Sequence, residues 1–179
     1  FKSTSRVYDF ASYAFDVSWS NLIHTLTIGA CLCIPSEQDR KDNLVESIRS
    51  LCATHIDVTP SVARLIPDSL LCKIETLVLG GEKLSAELAR HLSSLVTLKN
   101  PYGPSECTPT STIATIRPDD DDSKISSIGR GLGVNTWVVD SENEEILVPI
   151  GQVGELLLEG YLLGNGYLND QTKTTAAFV

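Results

Sequence analysis

The chain has 179 residues, 42% of them hydrophobic, and a formal net charge of −9. This size and apolar content suit one compact domain or a large part of one. Because binding to nucleic acid or to an anionic membrane needs clustered lysine and arginine, the acidic balance argues against both partners.

Apolar runs alternate with helical patterns in the first hundred residues. Strands are predicted at 30–34, 55–59, 76–79 and 95–98. Leu44, Ile48 and Leu51 recur at the spacing of a helix, as do leucines 84, 88 and 92. Ser61 and Ser85 are predicted to be helix N-caps. The alternation predicts an α/β fold in which helices flank a parallel sheet.

The pattern changes after Pro104, where turn-rich stretches separate short strands predicted at 111–116, 136–139 and 154–159. A β-rich portion is therefore expected to follow the parallel sheet. The acidic run 119–122 is expected to be a solvated loop rather than a metal site. No repeat or linker marks a boundary, so residues 1–179 are interpreted as one partial domain with no second domain.

The five cysteines are odd in number and form no Cys-x-x-Cys pair, which indicates neither a disulfide framework nor a zinc site. Their apolar neighbours predict buried, reduced thiols. No apolar run approaches the ~18 residues of a membrane span, and a cytoplasmic protein is expected.

Asp16 is an acid set in an apolar and aromatic stretch that leads into a helix. A carboxylate there requires a cation or hydrogen-bond donors, because its desolvation is otherwise uncompensated. One interpretation is a pocket for a ligand ammonium group. The other is a helix cap.

Paired glycines follow the predicted strand 76–79, in the sequence Gly80-Gly81-Glu82. They would let the backbone approach a ligand at the carboxyl end of a parallel sheet, where open α/β sheets bind ligands. An ordinary turn between a strand and a helix would explain them equally well.

Asn100-Pro101-Tyr102-Gly103-Pro104-Ser105-Glu106 predicts a stiff loop that carries an aromatic ring, a hydroxyl and a carboxylate. Such a ring can stack on a nucleobase, and the two oxygen groups suit Mg²⁺ bound to phosphates. A further motif, Gly154-Glu155-Leu156 followed by Gly166-Tyr167-Leu168, predicts a strand and a glycine turn without evident chemistry.

Taken in order, these motifs resemble those of the adenylate-forming superfamily, specifically the adenylation domains of non-ribosomal peptide synthetases. The stretches Ala30–Arg40 and Val58–Leu65 resemble fungal members in particular. Phe15-Asp16-x-Ser18 resembles the motif that begins the amino-acid pocket, and the stiff loop is similar to Asn-x-Tyr-Gly-Pro-Thr-Glu. The resemblance implies part of the large N-terminal subdomain of such an enzyme. With no methionine and no evident natural start or stop, the chain is expected to be a fragment truncated at both ends.

The resemblance also implies roles for single residues. Asp16 would bind the substrate ammonium, Tyr102 would stack on adenine, and Glu106 would hold Mg²⁺. The pocket for the amino acid would be formed by Asp16, Val17, Ser20, Asp57, Val78, Gly80, Pro101, Pro109 and Thr110. The ATP site would use Gly80, Gly81, Glu82, Asn100, Tyr102, Gly103 and Ser105.

The implied activity condenses an α-amino acid with Mg-ATP to aminoacyl-AMP and pyrophosphate. The acyl group then passes to the phosphopantetheine thiol of a carrier domain, in a synthetase that also contains condensation domains. The phosphate loop is expected upstream of Phe1 and the catalytic lysine downstream of Val179. No catalytic residue is therefore assigned within the chain, and the isolated chain is expected to be inactive.

Three points stay open. The chain could belong to an acyl-CoA or aryl-acid ligase of the same superfamily, although Asp16 favours an amino acid, or it could be a non-catalytic α/β interaction module. Asn165 stands where the family usually has arginine. Asp57 could meet a basic substrate side chain, such as that of an ornithine derivative, or be paired internally.

Overall fold

A computed structural model describes every residue from Phe1 to Val179. The chain folds into two compact units, one formed by Phe1–Tyr102 and Ile113–Gly129, the other by Gly103–Thr112 and Arg130–Val179. The strands are β1 (Arg6–Tyr8), β2 (Cys31–Cys33), β3 (His55–Val58), β4 (Thr76–Leu79), β5 (Thr97–Tyr102), β6 (Thr112–Ile116), β7 (Arg130–Gly131), β8 (Asn135–Val139) and β9 (Glu155–Glu159). The helices are α1 (Asp16–Thr27), α2 (Glu37–Asp42), α3 (Leu44–Ser50), α4 (Pro60–Ala63), α5 (Asp68–Leu71), α6 (Ala86–Ser93) and α7 (Gln171–Ala177).

The first unit contains the predicted parallel sheet. Its strands lie in the order β2-β1-β3-β4-β5-β6, and the pairings from β2 through β5 are all parallel. Helices connect successive parallel strands, because such strands need a long crossover. The predicted α/β class is confirmed.

Side chains alternate between the two faces of this sheet. Ile56, Leu77 and Leu98 belong to one face, are at most 1% exposed and lie in the main hydrophobic core. The residues that follow them, Asp57, Val78 and Lys99, are only half-buried and point to the other face. Because alternate side chains of a strand point to opposite sides, the sheet has one face in the hydrophobic core and one face that is partly exposed.

The strand order makes β1 a topological switch point of the sheet. Its two neighbours in the sheet are β2 and β3, so the chain leaves β1 toward one side of the sheet and later returns on the other. Open α/β sheets bind ligands at such a switch point, outside the carboxyl ends of the strands. Asp16 begins the helix that follows β1, and Asp57 lies near the carboxyl end of β3.

In the second unit strand residues outnumber helical ones, whereas the predicted strand 111–116 is found as β6 of the first sheet. β8 and β9 pair antiparallel from Asn135 opposite Glu159 to Val139 opposite Glu155. Asp170 caps α7 by accepting a hydrogen bond from the Lys173 N–H at 3.0 Å. None of the helices in either unit has the length and apolar composition needed to cross a bilayer.

One predicted cap is confirmed and the other is wrong. The Ser85 hydroxyl accepts a hydrogen bond from the Leu88 N–H at the start of α6. α4 is instead capped by Thr59, which precedes Pro60. Proline suits the first position of a helix because its nitrogen has no hydrogen to satisfy, and this places the cap before Ser61.

The cysteines differ in part from expectation. All five are free, but Cys31, Cys52 and Cys72 are exposed and only Cys33 is buried. Cys52 lies in a turn with a φ of 49°, and Cys31 lies on the edge strand β2. The apolar neighbours of these thiols therefore do not bury them.

The acidic run is an exposed loop in which Asp122 pairs with Arg90, as the solvated interpretation predicts.

Candidate functional site

Asp16 is the first residue of α1, and it does not act as the cap of that helix. The N-cap is Phe15, which makes no side-chain capping bond. The Asp16 carboxylate oxygen Oδ2 is buried without a hydrogen-bond partner. Because a buried acceptor without a partner costs about 1–3 kcal/mol, this oxygen is suited to meeting a donor from a ligand.

Val17 and Ser20 lie on the same helix as Asp16 and are half-buried. The Ser20 hydroxyl lies 3.2 Å from Nδ1 of His24, one turn further along. The residues of α1 that are buried are polar: Ser18, Asn21 and Thr25. The helix thus places an acid, an apolar side chain and a hydroxyl near its N-terminus.

The remaining first-unit residues of the predicted pocket share one face of the sheet. Asp57 on β3 is directly opposite Val78 on β4, and the next residue on that face is Gly80. A Cβ atom at Gly80 would lie 3.3 Å from Cγ of Pro101. Glycine therefore keeps this end of the sheet open beside Pro101.

Asp57 is a desolvated carboxyl group on this face. Burial raises its pKa to about 7, and burial is the only cause of that shift. An opposite charge or a donor would lower the pKa, so the alternative that Asp57 is paired internally does not describe this structure. The group is poised between its neutral and ionised forms near neutral pH.

Tyr102 ends β5 with its side chain partly exposed, which leaves a ring face for stacking. Gly81, with a φ of 78°, makes the turn that follows β4. The Glu82 carboxylate accepts hydrogen bonds from the N–H and the hydroxyl of Ser61, at 3.1 Å and 2.6 Å. The Glu82 side chain therefore secures the start of α4, and the contact of Gly80-Gly81-Glu82 with adenine stays a prediction.

Asn100 is placed differently from the other predicted residues. It is 4% exposed, and its amide nitrogen donates to the carbonyl oxygen of Ser127 at 2.8 Å. Its position in the sheet puts it on the core face with Leu98. The hydrogen bond to Ser127 holds the Asn100 amide nitrogen, and a contact of this side chain with ATP stays a prediction.

The second unit contains the rest of the stiff loop. A Cβ atom at Gly103 would lie 2.2 Å from the carbonyl oxygen of Thr108, so only glycine allows this close approach. The N–H groups of Cys107 and Thr108 both donate to the Pro104 carbonyl oxygen. Ser105 is exposed, whereas Pro109 and Thr110 are half-buried. The loop is closed by its own backbone.

Glu106 accepts a hydrogen bond from the hydroxyl of Tyr167, and this bond lowers the pKa of the carboxyl group. No group of three metal-ligating side chains occurs in the chain. A single carboxylate does not make a resident metal site, but it fits Mg²⁺, which commonly arrives on phosphates and takes one or two protein carboxylates.

The sequence interpretation missed two residues. Asp9 directly follows β1 at the switch point and is buried, with an Oδ1 atom that has no partner. Burial raises its pKa, against the lowering effect of Asn21 and Tyr13 nearby. The other is Tyr167, whose position within the Gly166-Tyr167-Leu168 motif was the available signal.

The family profile of the AMP-binding enzymes matches residues 1–168. The chain belongs to the AMP-binding enzyme family. It is 49% identical over 176 residues to the nonribosomal peptide synthetase ungA of Aspergillus violaceofuscus, which covers 98% of this chain and 2% of that protein. The chain thus spans a small part of such fungal relatives.

Solved structures share the fold of this chain. The adenylation domain AlmE of Vibrio cholerae, in complex with glycyl-adenosine-5′-phosphate, matches with a TM-score of 0.87 and 28% identity, over 100% of this chain and 36% of AlmE. Holo-PA1221, a protein with adenylation and carrier (PCP) domains, matches with a TM-score of 0.84 and 25% identity, over 100% of this chain and 32% of its own length.

Proposed function

We propose that this AMP-binding chain forms the amino-acid pocket and the adenine-binding surface of an adenylation domain in a nonribosomal peptide synthetase. The observation that carries the proposal is Asp16, an acid with a buried, unpartnered oxygen at the start of the helix that follows β1. An ammonium group would supply the missing donor. The relatives support the same direction, since ungA is a peptide synthetase and AlmE holds an aminoacyl adenylate.

The reaction would be an in-line transfer at phosphorus. A carboxylate oxygen of the amino acid bonds to the α-phosphorus of ATP while the bond to the bridging oxygen of the β-phosphate breaks, and pyrophosphate leaves. Catalysis of this type depends on positioning and charge neutralisation. Asp16 would orient the amino group, Tyr102 would hold the adenine ring, and Glu106 would bind Mg²⁺. When bound, Mg²⁺ neutralises the charge of the phosphates.

The wider activity belongs to the whole protein. The aminoacyl group would pass from AMP to the phosphopantetheine thiol of a carrier domain, with condensation domains in the same synthetase. The pairing of adenylation and carrier domains in PA1221 supports this arrangement.

Replacing Asp16 with Asn in the full-length protein tests the assignment. The substitution keeps the shape of the side chain but removes the charge that would pair with the ammonium group. We expect kcat/KM for the amino acid to fall roughly a hundredfold, equivalent to about 3 kcal/mol. Amino-acid-dependent exchange of pyrophosphate with ATP measures the effect. Asp42→Asn is the matched control, because Asp42 is an exposed acid at the end of α2.

Unchanged pyrophosphate exchange in Asp16→Asn would contradict the role assigned to Asp16.

A second comparison uses the wild-type protein with amino acids and their deaminated analogues. Equal turnover of both would favour an acyl-CoA or aryl-acid ligase. An absence of both exchange and ATP-dependent thermal stabilisation would favour an interaction module without catalysis.

A further inference from the structure

Tyr167 and Glu106 are joined across 61 positions of sequence within the second unit. The Tyr167 hydroxyl donates a hydrogen bond to Oε1 of the Glu106 carboxylate. The motif Gly166-Tyr167-Leu168 has no part in the proposed reaction so far, yet its tyrosine contacts the single carboxylate assigned to Mg²⁺. The contact therefore connects this motif to the proposed Mg²⁺ ligand.

The position of Tyr167 is fixed by the residues that follow it. Its N–H donates to Oγ1 of Thr174 at 2.9 Å, and the same Thr174 hydroxyl donates to the Asp170 carbonyl oxygen at 2.8 Å. Its ring meets Phe178 edge to face, with 5.9 Å between the ring centroids. These contacts fix the backbone and the ring of Tyr167, so its hydroxyl is held beside Glu106.

Gly166 makes this approach possible. Its φ is 115°, and a Cβ atom there would lie 2.5 Å from Cγ2 of Thr174. A larger residue would both strain the backbone and displace the Thr174 side chain that holds the Tyr167 N–H. The glycine that precedes the tyrosine is thus required by close packing.

The same segment also holds the backbone of Glu106. The Gly164 N–H donates to the Glu106 carbonyl oxygen at 2.7 Å. A Cβ atom at Gly164 would lie 3.1 Å from that oxygen. Residues 164–167 therefore attach to Glu106 at two points, its carbonyl group and one oxygen of its carboxylate.

We propose that Tyr167 is a positioning residue that holds the Glu106 carboxylate in one orientation and leaves Oε2 free for Mg²⁺ carried by the nucleotide. This inference rests on the proposed function for the role of Glu106. A hydrogen bond to one oxygen fixes the rotamer of the acid, so less freedom is lost when the other oxygen binds a cation. Loss of such an outer partner typically weakens metal binding by about 10–100-fold.

The direct test is Tyr167→Phe in the full-length protein, which keeps the ring against Phe178 and removes only the hydroxyl. Binding of Mn²⁺ in the presence of a non-hydrolysable ATP analogue is measured from the free Mn²⁺ signal in electron paramagnetic resonance. We expect a dissociation constant about tenfold higher than in the wild-type protein. Tyr161→Phe is the matched control, because Tyr161 is fully exposed in the same unit.

A second variant shows whether the tyrosine acts through the acid. Glu106→Gln removes the proposed ligand, and the double variant Glu106→Gln/Tyr167→Phe should then bind Mn²⁺ no more weakly than Glu106→Gln alone. Additive losses in the double variant would show that Tyr167 acts elsewhere and would overturn the proposal. So would wild-type Mn²⁺ affinity in Tyr167→Phe, even if that variant melts at a lower temperature, since the bond would then only fasten the loop.

The outcome is separable from that of the proposed function. If the wild-type protein exchanges pyrophosphate in an amino-acid-dependent manner but Tyr167→Phe keeps its Mn²⁺ affinity, the positioning inference alone is wrong. If the wild-type protein neither binds the nucleotide with Mn²⁺ nor exchanges pyrophosphate, the proposed function is wrong and the inference falls with it.

Discussion

Asp16 begins the helix that follows β1 and Asp57 lies near the carboxyl end of β3, and the surroundings of the two acids differ. Asp16 lies in the first turn of α1, where the helix N-terminus favours a negative charge. Asp57 lies on the sheet without a partner, and burial raises its pKa to about 7. Under the proposed function, Asp16 would meet the ammonium group and Asp57 would gain from a second cation.

Asp57 predicts a pH dependence if the substrate has a basic side chain. Its carboxyl group loses its proton as the pH rises through about 7, so attraction to a cation increases over that range. We expect KM for a basic amino acid to fall between pH 6 and pH 8, and to become nearly independent of pH in Asp57→Asn. Pyrophosphate exchange at saturating ATP measures KM. A full-length protein that exchanges only with small aliphatic amino acids would exclude the basic substrate.

The raised pKa of Asp57 also makes the stability of the fold depend on pH. A carboxyl group with a raised pKa binds more protons in the folded state than in the unfolded state, so stability is lost as the pH rises toward about 7. Asn at position 57 should remove this dependence. Asp57 in its ionised form therefore lowers the free energy of unfolding.

At the scale of the element, one strand serves two purposes. Leu77 and Val78 are neighbours on β4, but Leu77 lies in the core and Val78 is half-buried on the face of the predicted pocket. The pleat of the strand separates them. Stability and substrate binding should therefore be separable at adjacent positions.

Leu77→Ala should lower the free energy of unfolding by about 2–5 kcal/mol, because it leaves a cavity in a packed core. Val78→Ala should lower it by much less, since that side chain already contacts solvent, and should instead change KM for the amino acid. Pulse proteolysis in urea on the full-length protein measures stability. Equal destabilisation by both substitutions would contradict the assignment of the two faces.

The proposed reaction needs positive charge, whereas the chain is acidic overall. Its net charge is −9, and no lysine or arginine is among the residues assigned to the substrate and ATP sites. Transfer at the α-phosphorus gathers negative charge that cationic groups must stabilise. The residues assigned here therefore supply acceptors and an aromatic ring for the proposed reaction, but none of them is a cation.

We expect the 179-residue chain on its own to show no amino-acid-dependent exchange of pyrophosphate with ATP. The assay compares it with the full-length protein at equal molar concentration. Exchange by the isolated chain at a comparable rate would show that the assigned residues suffice.

Much of the architecture follows from local pattern. The strand 76–79, the Ser85 cap and the alternation of strands and helices depend on neighbours in sequence, and all three are found in the structure. The short strand β1 was missed, because three residues, one of them arginine, give too little periodicity. Since β1 makes the switch point, the site could be expected at the end of the sheet but not beside a particular strand.

Periodicity and residue type are local properties of a sequence. They therefore predict the class of fold and the chemical groups that are available. The tertiary structure alone decided which polar groups are left without partners. Asp16 is unpartnered and Asn100 is committed to Ser127, although both are polar residues within predicted motifs. Only folding brings Tyr167 to Glu106. Contacts between residues far apart depend on how the chain packs, and no pattern along the sequence contains that information.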